Sequence, residues 1–100
     1  MPRKIIFDVE ARLEFEDAVV WYNEREPGLG YRFEAELHAA LQRILRDPER
    51  FQLISGTIHK AGVEVFDKYK IYFRIEPDFI GIVSVFHGAR DPSELRRRLK

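Results

Sequence analysis

YKIYFRIEPDFIGIVSVFH, residues 69–87, is the stretch whose reading decides the fold. Its first half alternates. Tyr69, Ile71, Phe73 and Ile75 are apolar at every second position, and Lys70, Tyr72, Arg74 and Glu76 stand between them. That is the period of a strand with one buried face. Pro77-Asp78 is a turn signal. Residues 79–87 are almost wholly apolar, as in a central strand. The stretch therefore predicts a hairpin of strands 69–76 and 79–87. A two-residue loop sets Glu76 opposite Phe79, Arg74 opposite Gly81, Tyr72 opposite Val83, Lys70 opposite Val85 and Lys68 opposite His87. One face then carries Ile75, Phe73, Ile71 and Tyr69 against Ile80, Ile82, Ser84 and Phe86, and is the expected core face. The other gathers Lys68, Lys70, Tyr72, Arg74 and His87 with Phe79, Val83 and Val85. It is locally basic and part apolar.

The segments upstream complete the sheet and supply its cover. Residues 57–66 read as a further strand, weak at Ala61-Gly62, and residues 4–9 as a short strand rich in β-branched and aromatic side chains. Between them the period becomes helical. Ala11, Phe15, Ala18, Val19 and Tyr22 form one stripe, and the helix stops near Arg25 because Pro27-Gly28 follows. A second helix over 31–46 shows Phe33, Leu37, Ala40, Leu41, Ile44 and Leu45, and Asp47-Pro48 ends it. The tight EPGLG connection makes the two helices an antiparallel hairpin. The predicted order is β-α-α-β-β-β: an α+β chain with an antiparallel sheet packed on a helical hairpin.

Downstream, Asp91 is a good N-cap, Pro92 fits the first helical position, and Glu94 completes a capping box for a short C-terminal helix. Leu95 and Leu99 of that helix are placed to cover part of the outer sheet face. Arg96-Arg97-Arg98 reads as a solvated helix end that complements the helix dipole.

Composition excludes several classes. One hundred residues with 45% hydrophobic and 34% charged side chains predict a single globular domain, 1–100. Seventeen basic and seventeen acidic residues give a formal net charge of zero, against the basic excess usual in nucleic-acid binders. There is no cysteine, which removes disulfides and thiol chemistry and fits the cytoplasm. The N-terminal residues do not read as a signal peptide, and no segment has the apolar length of a membrane span. No phosphate loop, metal-ligand spacing or nucleophile context is present, so neither cofactor nor metal is expected.

The string ARLEFEDAVVWYNEREPGLGYRFEAELHAALQRILRDPERF resembles the N-terminal half of the RelE/ParE toxin superfamily: a Trp-Tyr late in helix one, a Gly-Leu-Gly turn, and a Phe-x-x-x-Leu helix two. KYKIYFRIEPDFIGIVSVFHGARDP resembles its C-terminal half, with the terminal His-x-x-Arg-x-Pro. The resemblance implies the same fold. It also implies a growth-inhibiting toxin of a type II toxin-antitoxin module of the plasmid-stabilisation kind, encoded beside a cognate antitoxin. RelE-like members cut mRNA on the ribosome; ParE-like members poison DNA gyrase. Where members carry Phe-Pro-Tyr this chain has Asp67-Lys68-Tyr69, the basic residue of the second strand has His59 and Lys60 as nearest equivalents, and Glu94-Leu95 stand near the place of a C-terminal tyrosine. A ribonuclease would draw on His87 as acid or base and on Arg90, Arg74 and Lys70 for positive charge. Lys68, Tyr72, His59 and Lys60 are the expected binding residues. The neutral chain favours the non-enzymatic gyrase inhibitor, with the mRNA interferase as the alternative. An antitoxin segment bearing acidic residues is expected to cover the basic sheet face.

Overall fold

The computed structural model describes residues 3–99; Met1, Pro2 and Lys100, the ends of the expected 1–100 domain, lie outside the described residues. In chain order the elements are β1 (Lys4–Phe7), α1 (Val9–Arg25), α2 (Leu29–Arg46), β2 (Gln52–Ser55), β3 (Ile58–Gly62), β4 (Tyr69–Ile75), β5 (Phe79–His87) and α3 (Pro92–Arg98). The architecture is the expected α+β one: a helical hairpin on one face of a sheet and a short C-terminal helix. Ala11, Phe15 and Ala18 of α1 and Phe33, Leu37, Ala40, Leu41 and Ile44 of α2 pack on Ile71, Phe73, Ile80, Ile82 and Val85. These are the helical stripes read from the sequence.

The two glycines of the EPGLG connection do different work. Gly28 has φ +91°, a left-handed conformation that costs a side-chain-bearing residue about 1–2 kcal/mol. Gly30 has ordinary φ but no room: a Cβ there would stand 2.1 Å from the Val19 carbonyl oxygen. Its N–H donates to Asn23 Oδ1 at 2.7 Å, so α2 begins pressed against the last turns of α1.

The sheet has five strands in the order β1-β5-β4-β3-β2. Two details depart from the expected four antiparallel strands. β1 lies parallel to β5, with Lys4 opposite Phe79 and Phe7 opposite Ile82. The strand expected at 57–66 is instead β3 alone, ending at Gly62, and it pairs with the short edge strand β2.

The third difference decides the site. From the loop the β4–β5 register is the expected one, with Ile75 opposite Ile80, Arg74 opposite Gly81 and Phe73 opposite Ile82. A bulge then makes Val83 an extra residue, and the pairing continues as Tyr72–Ser84, Ile71–Val85, Lys70–Phe86 and Tyr69–His87. One extra residue reverses the side on which each later side chain emerges. Val85 therefore joins the core under the helices, while Phe86 joins Ile58, Tyr72 and Val83 on the outer face. Leu95 and Leu99 of α3 pack on that outer cluster, as expected.

Candidate functional site

The expected basic face loses His87, while Lys70, Tyr72 and Arg74 stay on one face of β4. His87 stands opposite Tyr69, on the helix side, with the two rings edge to face at 4.9 Å between centroids. Tyr72 is buried in the outer cluster, so it has no open face for a base to stack on. Lys60 lies opposite Tyr72, whereas His59 points the other way and stacks on Phe73 at 5.3 Å. Arg74 pairs with Asp8 at 3.3 Å and Glu76 at 3.2 Å. It sits opposite Gly81, six residues before His87, which places it about 20 Å from that ring along the strand. Lys70 Nζ donates to the Asp67 carbonyl at 2.6 Å. Lys68 and Lys70 border a small hollow of about 370 Å³ with Gly88 and Ala89.

A larger groove, about 580 Å³, runs between α1 and the C-terminal half of β5. Leu13, Ala18, Trp21, Tyr69 and Val85 form its apolar lining, and Glu10 and Asp17 stand on its α1 side. Leu13 and Trp21 are about half exposed, at 52% and 47%. His87 and Arg90 come together here, so two residues of the expected site share a place, but it is not the one expected. Burial, reinforced by the nearby Tyr22, pushes the Tyr69 phenol up to about 12.

At the groove's end lies a carboxylate with five donors. Glu14 accepts Arg98 Nη1 at 2.7 Å and Nη2 at 3.1 Å, Ser84 Oγ at 2.9 Å, the Val85 N–H at 3.0 Å, and a close ion pair from Arg90. Burial alone would raise this carboxyl. The Arg98, Ser84, Val85 and Arg90 donors outweigh it and hold the carboxyl below its ordinary 4.5. The second nitrogen of Arg90 meets Glu94 at 2.5 Å, and its guanidinium lies over the Phe86 ring at 4.6 Å. Burial pulls the Arg90 pKa down, and Glu94 and Glu14 together more than reverse it.

Two of these contacts correct the reading of the C-terminal helix. Arg98 is not a solvated helix end: its side chain is 7% exposed and also donates to the Val83 carbonyl at 2.5 Å. Asp91 caps α3 by accepting the Ser93 N–H at 2.9 Å, but the Glu94 carboxylate turns to Arg90 rather than back to the cap. None of Glu14, Ser84 and Arg98 was expected from the sequence to be a site residue. Each left a trace. Ser84 is a lone hydroxyl in an apolar strand, Glu14 flanks the Ala11–Phe15–Ala18 stripe, and Arg98 is three residues after Leu95 on the face that packs inward.

The chemistry open to this site is limited by these pairings. The His87 Nδ1 accepts the Ala89 N–H at 2.9 Å, so a neutral ring carries its proton on Nε2 and offers no free lone pair to a ribose hydroxyl. Arg74 and Arg90 are each held by two carboxylates. Among the described residues no group of three or more His, Asp or Glu side chains could hold a metal, and no helix is long and apolar enough to cross a membrane.

Comparison with known proteins points one way. Residues 5–92 match the family model described as the ParE toxin of the type II toxin-antitoxin system. A curated relative, Toxin RelE1 of Caulobacter vibrioides, is 25% identical over 85 residues, which cover 84% of this chain and 91% of that protein. A solved structure, described as the chromosomal ParDE TA system from P. aeruginosa, superposes with a TM-score of 0.74. It covers 86% of this chain and 96% of its own at 9% identity, a likeness of fold.

Proposed function

The chain belongs to the ParE toxin family of type II toxin-antitoxin systems, and on that premise we propose that it arrests growth by binding DNA gyrase rather than by cutting RNA. One observation carries the choice: the groups that RNA cleavage would need are apart and already engaged. Cleavage at a phosphodiester takes a base for the 2′-hydroxyl, an acid for the leaving oxygen and unspent positive charge on the phosphorane. Here Arg74 is about 20 Å from His87 along the sheet. Arg90 is shared between Glu14 and Glu94. The His87 lone pair is taken by Ala89. A formal net charge of zero further supports a protein target over the phosphate-lined ribosomal site. In this reading one toxin domain spans residues 1–100, acts in the cytoplasm without a cofactor, and is held inactive by its antitoxin.

The test is direct. Purified protein is added to a gyrase supercoiling assay, and total mRNA is followed in cells that express it. We expect supercoiling to be inhibited, mRNA to stay intact, and His87→Ala to keep its growth inhibition. Ribosome-dependent mRNA cleavage that falls by the 10²–10⁴-fold typical of a lost acid-base group in His87→Ala would overturn the proposal and assign an mRNA interferase.

A further inference from the structure

The two strands that lie parallel have unequal lengths. β1 has four residues and pairs only with residues 79–82 of β5, which runs on to His87. Residues 83–87 therefore have β4 on one side and, among the described residues, no strand on the other. Unpaired main-chain groups on such an edge recruit another strand unless something covers them. Here the cover is made of side chains. Arg98 Nη2 donates to the Val83 carbonyl at 2.5 Å, and Glu14 Oε1 accepts the Val85 N–H at 3.0 Å. The two side chains are bonded to each other at 2.7 and 3.1 Å. Together they offer the edge one donor and one acceptor, the complement that a residue of a neighbouring strand would offer.

The groove along this edge has the shape and lining for a strand. Leu13, Trp21 and Tyr69 give it an apolar wall, and its volume is about 580 Å³. Its α1 side carries Glu10 and Asp17. The expected cover of the outer face, an acidic antitoxin segment, meets Leu95 and Leu99 already seated there. Both the place and the charge of the expected contact therefore change.

We propose that the free edge of β5 at residues 83–87 accepts an extended segment of the antitoxin as a sixth strand, and that the Glu14–Arg98 pair is the plug it displaces. The inference rests on the toxin reading. The added segment supplies main-chain N–H and C=O groups to Val83 and Val85. Every second side chain enters the groove against Leu13, Trp21 and Tyr69, so those positions are apolar. A lysine or arginine of the segment faces Asp17 and Glu10 and replaces Arg98 on Glu14. About five residues, roughly 17 Å of extended chain, fill the edge. A second copy of this chain fits less well. Edge-to-edge pairing of two copies would bring two α1 helices and two identical charged plugs against each other, where a lone strand meets neither obstacle.

The test uses the complex of this chain with the small protein encoded beside it, co-expressed and purified. Hydrogen exchange is compared with that of the free chain. We expect the amides of residues 83–87 to exchange at least tenfold more slowly in the complex. Arg98→Ala, which opens the edge and leaves the apolar wall of Leu13, Trp21 and Tyr69 unchanged, should tighten antitoxin binding about tenfold, since the wild type must first release the plug. A complex that leaves exchange at residues 83–87 unchanged overturns the edge proposal while the toxin reading stands. Failure of the two proteins to associate overturns both. If the free chain dimerises with protection of the same amides, the edge belongs to a second copy and the proposal is wrong. Exchange in the wild-type complex decides the matter even if Arg98→Ala proves unstable.

Discussion

Replacing Glu14 by alanine tests whether the charge cluster holds the fold together. The substitution removes both bonds to Arg98, the ion pair to Arg90, and the acceptor for the Ser84 hydroxyl and the Val85 N–H. What it leaves behind is costly. Among the described residues Arg98, with 7% of its side chain exposed, keeps the Val83 carbonyl and a 3.7 Å contact to Glu10, while Ser84 is fully buried. Removing one partner of a buried ion pair costs about 3–5 kcal/mol, because the other charge stays behind without compensation. Water entering from the groove offsets part of the loss for Ser84 and Val85, so we expect the lower half of that range, about 3–4 kcal/mol. In a domain of this size 1 kcal/mol moves Tm by about 4–8 °C, which gives a fall of at least about 12 °C. Urea unfolding followed by circular dichroism measures it, with the slope against denaturant checked for two-state behaviour. The double variant Glu14→Leu, Arg98→Met should recover most of the loss, since replacing both charges with apolar groups removes the stranded ion. A loss below about 1 kcal/mol in Glu14→Ala, the range of an exposed pair, would refute the reasoning.

The remaining expectations follow from single features. The folded Glu14 carboxyl lies below its ordinary 4.5, so its contribution is present at neutral pH and is lost as pH falls below about 4.5 and through the folded value; acid titration of stability should be shallower in Glu14→Gln. Gly30→Ala places a Cβ 2.1 Å from the Val19 oxygen and should cost about 1–3 kcal/mol in thermal unfolding by forcing the helices apart, whereas an effect within 0.5 kcal/mol, taken as about the scatter of a surface change, would count against that close approach. Val65 has φ +72° and is 61% exposed, so Val65→Asn, which tolerates the left-handed region, should gain about 1 kcal/mol in the same measurement.

The helices and the hairpin were legible because their side chains repeat with the period of the element that carries them. Phe33, Leu37 and Ile44 could belong to no other face. The register beside the Pro77-Asp78 loop was legible for the same reason. The bulge was not. VSVF contains no glycine, and its one polar residue, Ser84, fits the expected core face as well as the observed register, so the reversal at Val83 left no mark, and with it went the correct side for His87. The parallel pairing of β1 escaped because a four-residue strand carries no sign of which edge it joins. The charge cluster was partly legible. A serine inside an apolar strand asks for a partner, and Glu14 is that partner, but nothing local joins residue 14 to residue 98.

That separation has a consequence for the order in which the molecule is completed during synthesis. The carboxylate of Glu14 and the guanidinium that neutralises it lie 84 residues apart. At about 5–20 residues per second a ribosome takes roughly 4–17 s to make the intervening chain. Throughout that interval α1 carries a carboxylate that has no Arg98 to meet, and the edge of β5 beyond β1, once made, has no plug. The Glu14–Arg98 pair is therefore among the last contacts of the fold to become available.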